Sequence, residues 1–496
     1  MMQSAETAGE GSGVTGRRFS IGQKLLIGSG QSVEMAIAFV AATFLLYYLT
    51  NVCGIDPAIA GGILFVSLCV DAVADPLIGS WSDRSRSRWG RRLPFMVAAL
   101  PVVSVAIFAL FALPGGWGST ATIAVVLMLN IVLRVGTSFY ALPYAAMTAE
   151  LTTDYGERSS IAAYRALFSF VAAVACAVPA FGYILNNPQK MSSASAYVEL
   201  GLLCAMVVLA AGAICVLGAR SMTRGQGQLQ SAGAPHGSFL TDVKELFRNR
   251  SFVVLFLCCL FCLTIAGSLA ALNLYAYQYY WRLTQAQTQQ AVLLLQGGYL
   301  FGIPLALLVL RSMEKRTAMA LGFIVLAVIQ GVFPMLAKLA PLSGLSGVVI
   351  VNGIQLCVGL CSALLFITMQ SMVADAVDEH EYRFGTRCEG LYYSSLIFAT
   401  KAANGIGSLM AGLILSLVGL KAAQSPGAAV SLSVEGTNLL GWFWGPGHGL
   451  LFLLLAPLLM AYRINRREHA RIIAALAQRA AAPQGEAKRM AGLAVG

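Results

Sequence analysis

Asp71 and Asp75 stand four residues apart in Asp71-Ala-Val-Ala-Asp75-Pro-Leu-Ile-Gly79-Ser-Trp-Ser-Asp83-Arg84, an apolar stretch that runs into Arg84, Arg86, Arg88, Arg91 and Arg92. Positions four apart share one face of a helix, with Cβ atoms about 5–6 Å from each other. At about 1.5 Å per residue, Asp71 and Asp75 lie roughly 20 and 13 Å along the helix from Arg84, near the middle of a hydrocarbon core about 30 Å thick. A carboxylate at that depth costs about 2.5–3.5 kcal/mol on insertion scales, and a second one beside it adds repulsion. The pair therefore requires a cation, a proton or a basic partner, which makes it a candidate ion site.

Few other charges fall inside apolar runs. Glu34 lies about 15 Å along its helix from Lys24, Arg134 sits in the fourth run, Arg165 early in the fifth, and Lys401 about 21 Å past Arg387 in the eleventh. A lysine from the other half of the chain would neutralise the acidic pair and tie the halves together. A plain interhelical ion pair is the alternative, but two acids on one face make poor glue and a good exchangeable site. Tyr140 and Tyr144 are placed where they could stack on a solute such as a sugar, although packing is the commoner role for such residues. The acid–base mixtures Glu150, Asp154, Glu157, Arg158 and Asp375, Asp378, Glu379, Glu381, Arg383, Arg387, Glu389 fall at the ends of the fourth and tenth runs. They are expected to face water as a gate whose pairs, each weak, latch one side closed.

The elements that carry these residues follow from composition. Of 496 residues, 58% are hydrophobic and 11% charged, against roughly 25% charged in soluble domains, and the mean hydropathy is +0.74. The chain is read as an integral membrane protein. Its net charge of +11 is spread over short segments between apolar runs, which is the pattern of positive-inside topology rather than of a nucleic-acid-binding face. The polar start, MMQSAETAGEGSGVTGRR, has no apolar core, so no cleaved signal peptide is expected. The 11 cysteines lack metal-ligand spacing, and His380 among acids has no helical His partner, so no metal and no cofactor is expected beyond a coupling ion, Na⁺ or H⁺. Without a His cluster or a nucleophile–base arrangement near one membrane face, an enzyme is not expected.

Apolar segments fall at about 24–50, 56–82, 93–113, 120–149, 160–186, 198–220, 252–281, 287–310, 316–338, 345–374, 390–420 and 445–465. Each is long enough to span a bilayer. The fold class is all-α, with about twelve transmembrane helices in two six-helix bundles, 24–220 and 251–466. A tail (1–23), a central loop (221–250) and a second tail (467–496) complete the chain. Basic residues cluster after the even-numbered runs and at both ends, which puts both termini in the cytoplasm of a multi-pass protein of the cell membrane. The halves echo each other: Met147-Thr-Ala-Glu150 follows the fourth run, and Met372-Val-Ala-Asp375 follows the tenth. Two parallel six-helix repeats are the major facilitator architecture, with the solute site between them near mid-membrane.

Two motifs also carry a family resemblance. Asp71-x-x-x-Asp75-Pro-x-x-Gly79 with Arg86-Ser-Arg88-Trp-Gly-Arg-Arg-x-Pro94 resembles a signature of the glycoside-pentoside-hexuronide:cation symporters, a melibiose permease-like family. Asp375-x-Val377-Asp378, then Arg387-Cys-Glu389-Gly and Lys401, resembles a second signature of that family. The resemblance covers roughly Lys24 to Arg467. It implies cation-binding roles for Asp71 and Asp75, a hydroxyl ligand at Ser138, and a lysine between cation and solute sites at Lys401. It also implies a sugar-contacting arginine at Arg165 and a loosely aligned acid at Glu34. Ala141 and Ala145 replace an aspartate and a stacking tryptophan, which argues against a galactoside-like solute. Ala74 replaces an asparagine ligand, which leaves Na⁺ against H⁺ open.

The expected function is cation-coupled symport of a sugar, glycoside or related polar organic solute by alternating access. Expected partners are that small molecule and the lipid bilayer, with no nucleic acid, and the chain is expected to be a monomer. A lysophospholipid transporter of the same fold is one alternative, and a membrane sensor or scaffold without transport is another.

Overall fold

The computed structural model describes residues 19–85, 87, 89, 91–113, 119–152, 154–223, 244, 246–339, 347–386, 388–421 and 432–481. Among them are twelve helices long and apolar enough to cross a membrane. They are α1 (Ile21–Asn51), α2 (Pro57–Ser82), α3 (Leu93–Phe111), α4 (Thr120–Thr148), α5 (Gly156–Ile184), α6 (Ala194–Met222), α7 (Arg250–Tyr280), α8 (Gln285–Ser312), α9 (Lys315–Met335), α10 (Gly347–Phe384), α11 (Glu389–Leu417) and α12 (Val434–Ala461). A further helix, α13 (Arg466–Ala481), follows the last span.

Polar residues at the helix ends set where the helices begin. Ser20 and Gln23 close a capping box on α1, and Thr284 and Gln287 another on α8. Asp56, Asn249 and Ser433 accept backbone N–H bonds at the starts of α2, α7 and α12, satisfying donors that a helix leaves free. Four spans contain a π-helical turn: Ala41–Leu45 in α1, Ala180–Ile184 in α5, Ala276–Tyr280 in α7 and Phe443–Gly447 in α12. The last takes in Pro446, whose missing N–H the wider turn accommodates.

The packing repeats. In the first half α3 lies on α4 and α6, α2 on α4, and α1 on α5; in the second half α9 lies on α10 and α12, α8 on α10, and α7 on α11. The halves meet along a matching pair of seams, α2 against α11 and α5 against α8, with α1 against α7 between them. This is the two-repeat major facilitator arrangement anticipated from the sequence.

Described arginines and lysines concentrate on one face, with Arg91, Arg92, Arg220, Arg250, Arg311, Lys315 and Arg466 there and Lys190, Arg282 and Lys421 on the other. Toward that opposite face the seams close. A Cβ on Gly412 of α11 would lie 2.3 Å from the Pro57 carbonyl, and one on Gly61 of α2 would lie 2.9 Å from the Ser408 carbonyl. Backbones approach this closely because no side chain intervenes, the usual device where lipid offers no hydrophobic drive for helix association. Nearby, the Thr50 and Tyr275 hydroxyls of α1 and α7 are 2.6 Å apart, and the Tyr47 and Tyr275 rings lie 5.2 Å apart.

Three boundaries differ from the sequence reading. α10 runs on to Phe384 instead of stopping near 374, because its terminal acids are neutralised by neighbours: Lys315 on Asp375 at 2.7 Å and Arg383 on Glu379 at 2.6 Å. α12 begins at Val434 rather than 445, since the Gly-Pro-Gly stretch that reads as a break is carried through by the π turn. The expected tail from 467 opens as α13, which rests on α10. Most of the expected N-terminal tail and central loop lies outside the described residues.

Gly412→Leu is expected to wedge the α2–α11 seam and destabilise the protein by about 1–3 kcal/mol, the usual cost of overpacking. Thermal denaturation in detergent reads it; an unchanged midpoint would mean that the seam tolerates a side chain there.

Candidate functional site

Pro76 lacks the N–H that would bond the Ala72 carbonyl, so α2 loses one helical bond in the turn between its two acids. Asn130 Nδ2 of α4 donates to Ser67 Oγ of α2 at 2.8 Å, one turn from Asp71, and sets the register of the two helices. In that register Ser138 Oγ donates to Asp71 Oδ1 at 2.7 Å. Lys401 of α11 reaches across the seam: its Nζ is 2.7 Å from Asp71 Oδ2, 2.5 Å from Asp75 Oδ2 and 3.1 Å from Ser138 Oγ. Asp71 is 3% exposed, and Asp75 Oδ1 is buried without a hydrogen-bond partner among the described residues.

One ammonium thus serves two carboxylates from the other half of the molecule. Arg134, one turn before Ser138 on α4, lies within electrostatic reach of Asp71 and forms no ion pair among the described residues. If Lys401 withdrew, two buried carboxylates and a serine hydroxyl would remain, a set of oxygen ligands that suits a small hard cation or a shared proton.

A second polar group lies on α1 and α5. The Arg165 guanidinium donates to Gln31 Oε1 from Nε at 3.0 Å and from an Nη at 2.7 Å, and to Thr148 Oγ1 at 3.3 Å. It also lies 5.0 Å from the centre of the Tyr144 ring. Gln31 in turn donates to Glu34 at 3.0 Å, so an amide separates acid from base and Glu34 stays exposed. Gln31 and Thr148 escaped the sequence reading because neutral side chains give no charge signal inside a span.

The aromatic expectation is corrected. Tyr140 and Tyr144 are both buried and stack on each other at 5.9 Å. They fill the space left by Gly30, where a Cβ would lie 2.5 Å from Tyr144 and 3.0 Å from the Tyr140 hydroxyl, and Tyr144 donates to the Ile27 carbonyl. Tyr140 is core, and Tyr144 positions Arg165.

The expected gate is also revised. Glu150, exposed, meets Arg92 at 2.8 Å and Arg91 at 3.6 Å, while Asp154 caps α5 by accepting from Glu157 N at 2.7 Å. Asp375 and Glu379, expected to face water, are buried. Asp378 and Asp375 take His469 of α13 at 3.1 and 3.5 Å, a partner hidden from the sequence reading because the tail was not read as helical. Each of these pairs stays within one half. Arg158 and Glu389 are exposed on the same face, and Arg387 lies outside the described residues.

Two cavities of about 260 Å³ each adjoin the charged group. One lies between the halves, with Met35, Ala38 and Ala42 of α1 facing Asn273 of α7 and Val292 of α8. The other is within the second half, largely apolar, and reaches Thr400, the neighbour of Lys401.

Residues 26–466 match the family model described as MFS/sugar transport protein. The chain belongs to this family. Among its relatives is an isoprimeverose transporter of Lactiplantibacillus pentosus, 26% identical over 86% of this chain and 85% of that protein. Another is the sodium-dependent lysophosphatidylcholine symporter 1 of Mus musculus, 24% identical over 79% of this chain and 76% of that protein. The crystal structure of a D-xylose-proton symporter superposes with a TM-score of 0.60 at 10% identity, covering 89% of this chain and 98% of that one, a likeness of fold. The chain is accordingly a multi-pass membrane protein of a transporter family.

Truncation with Lys401→Ala is expected to cost about 3–5 kcal/mol, because it strands two buried carboxylates. Adding Asp75→Asn to that variant should return part of the loss, and denaturation of the four proteins of the cycle measures the coupling. Additive losses would mean that the two side chains do not interact.

Proposed function

We propose that the chain is a secondary active symporter that couples a cation, Na⁺ or H⁺, to uptake of a sugar, glycoside or related polar organic solute by alternating access. The observation that carries this is Lys401 held between Asp71 and Asp75 across the seam of the two repeats. Lys401 is a tethered cation in the place a free one would take. Loading of the acids and Ser138 by the coupling ion competes with the ammonium, frees Lys401 toward the adjoining cavity, and so links ion occupancy to the solute site. By reciprocity, solute that engages Lys401 strengthens ion binding by the same factor. Glu34, Gln31 and Arg165 supply acceptor and donor groups for hydroxyls on the first half, and Arg134 balances charge beside Asp71. The family relatives that bear the names of symporters, an isoprimeverose transporter among them, support the same reading.

The face rich in Arg and Lys is taken as cytoplasmic under the positive-inside rule, which puts both termini inside and the chain in the cell membrane. Under that orientation the seams closed by Gly61, Gly412 and Tyr275 shut the outer side, and Glu150, Asp375 and their basic partners border the inner one. No metal or organic cofactor enters this mechanism, and one chain holds every group it uses.

A second reading, transport of an amphiphile such as a lysophospholipid, draws on the apolar cavity in the second half and on the lysophosphatidylcholine symporter relative. Thermal stabilisation of purified protein across sugars, glycosides and lysolipids, with and without Na⁺, separates the two readings and identifies the ion. Asp71→Asn and Asp75→Asn should each reduce concentrative uptake into vesicles by at least tenfold while the protein still folds. Intact accumulation in both variants would defeat the coupling role.

A further inference from the structure

Trp444, fully buried in the π turn of α12, locks two amide side chains in opposite senses. Its indole Nε1, which can only donate, gives a 2.8 Å bond to Asn273 of α7, so the oxygen of that amide is engaged and its NH₂ is left over. Its backbone carbonyl, which can only accept, takes the NH₂ of Gln330 on α9 at 2.8 Å, which leaves the Gln330 carbonyl oxygen over. Both amides line the cavity of the second half, and Asn273, with Ala270 and Leu295, is also part of the wall facing the cavity between the halves. Asn273 Nδ2 has no hydrogen-bond partner among the described residues. The surrounding lining is largely apolar, with Cys262, Leu326, Val358 and Phe452 among its members.

We propose that Asn273 and Gln330 form a subsite for a hydroxyl group carried on an otherwise apolar portion of the solute. A hydroxyl offers one donor and accepting lone pairs, which matches a fixed NH₂ beside a fixed carbonyl. An apolar wall accepts the ring or chain that bears it, whereas a solute lacking the hydroxyl leaves both amides unanswered in a low-dielectric site. Trp444 is the positioning residue: it holds both amides and prevents either from flipping. This inference rests on the transport reading above and refines its solute class to a glycoside whose non-sugar part is hydroxylated.

The test compares phenyl with 4-hydroxyphenyl glycosides of xylose, glucose, galactose and glucuronic acid, which differ within each pair by one hydroxyl. Binding to the purified full-length protein is measured by calorimetry. For whichever sugar binds, the hydroxylated member is expected to bind about 3- to 10-fold tighter, the range of a neutral hydrogen bond. In Asn273→Leu that preference should fall to about one while the phenyl glycoside keeps its affinity. Trp444→Phe, which removes the indole donor, should weaken the preference in the same direction, and it stands in for Asn273→Leu if that variant does not fold. Equal binding of both members to the unaltered protein, or a preference that survives both substitutions, overturns the subsite while leaving transport untouched. Binding of none of the eight defeats the glycoside reading together with the subsite.

Discussion

One ammonium group between two carboxylates, at the depth where a bilayer is driest, is the constraint around which the molecule is arranged. Neither acid is tolerable there alone and neither is the lysine, yet each half supplies what the other lacks. The tie is confined to one seam. The repeats pack α2 on α11 and α5 on α8 as equivalent pairs, but α8 has no acidic residue from Gln285 to Ser312. A symmetric scaffold therefore carries an asymmetric electrostatic lock, and the second seam is left to apolar and amide groups.

The two ends of the lysine seam hold by different physics. Toward the face poor in basic residues, α2 and α11 touch backbone to backbone through Gly61 and Gly412, a contact that depends on shape and is insensitive to ions. Midway along, the contact is ionic and can be exchanged for another cation without any change of shape in the helices. At the basic face the pairs, Lys24 with Glu157, Arg92 with Glu150, Lys315 with Asp375, fasten helices within a half rather than across halves. A structure so divided has one contact between repeats that responds to an ion, and it is the one at the carboxylates.

What could be read from the sequence follows the strength of each signal. Twelve spans were legible because burying backbone in lipid demands about twenty apolar residues each time, and the acids were legible because charge inside such a run is rare. Lys401 could be matched to them from its depth alone. The limits were equally physical. A tyrosine in a span looks the same whether it faces a cavity or a glycine, and Gly30 decided the matter for Tyr140 and Tyr144. Asp375 and Glu379 looked solvated because their partners, Lys315, His469 and Arg383, lie on other elements or one turn away. Helix α12 was shortened in the sequence reading because glycine and proline mark breaks in an α-helix, while a π turn carries them through.

The solute side shows the same division of labour between halves. On α1 and α5, Glu34, Gln31 and Arg165 give a polar surface in which an amide keeps acid and base apart, so neither is used up by the other. Across from it, the second half offers apolar walls with two amides whose orientation Trp444 has fixed. A fully polar solute would leave those walls wet, and a fully apolar one would leave Arg165 and Glu34 without a complement. The pairing of a hydrophilic wall with a hydrophobic one thus selects for a molecule with a polar end and a less polar end. Sugars linked to an aglycone and lipids with a single chain both have that division, which accounts for one family fold serving either. In this chain the fixed donor and acceptor within the apolar wall turn the balance toward the hydroxylated aglycone, since an acyl chain has nothing to offer them.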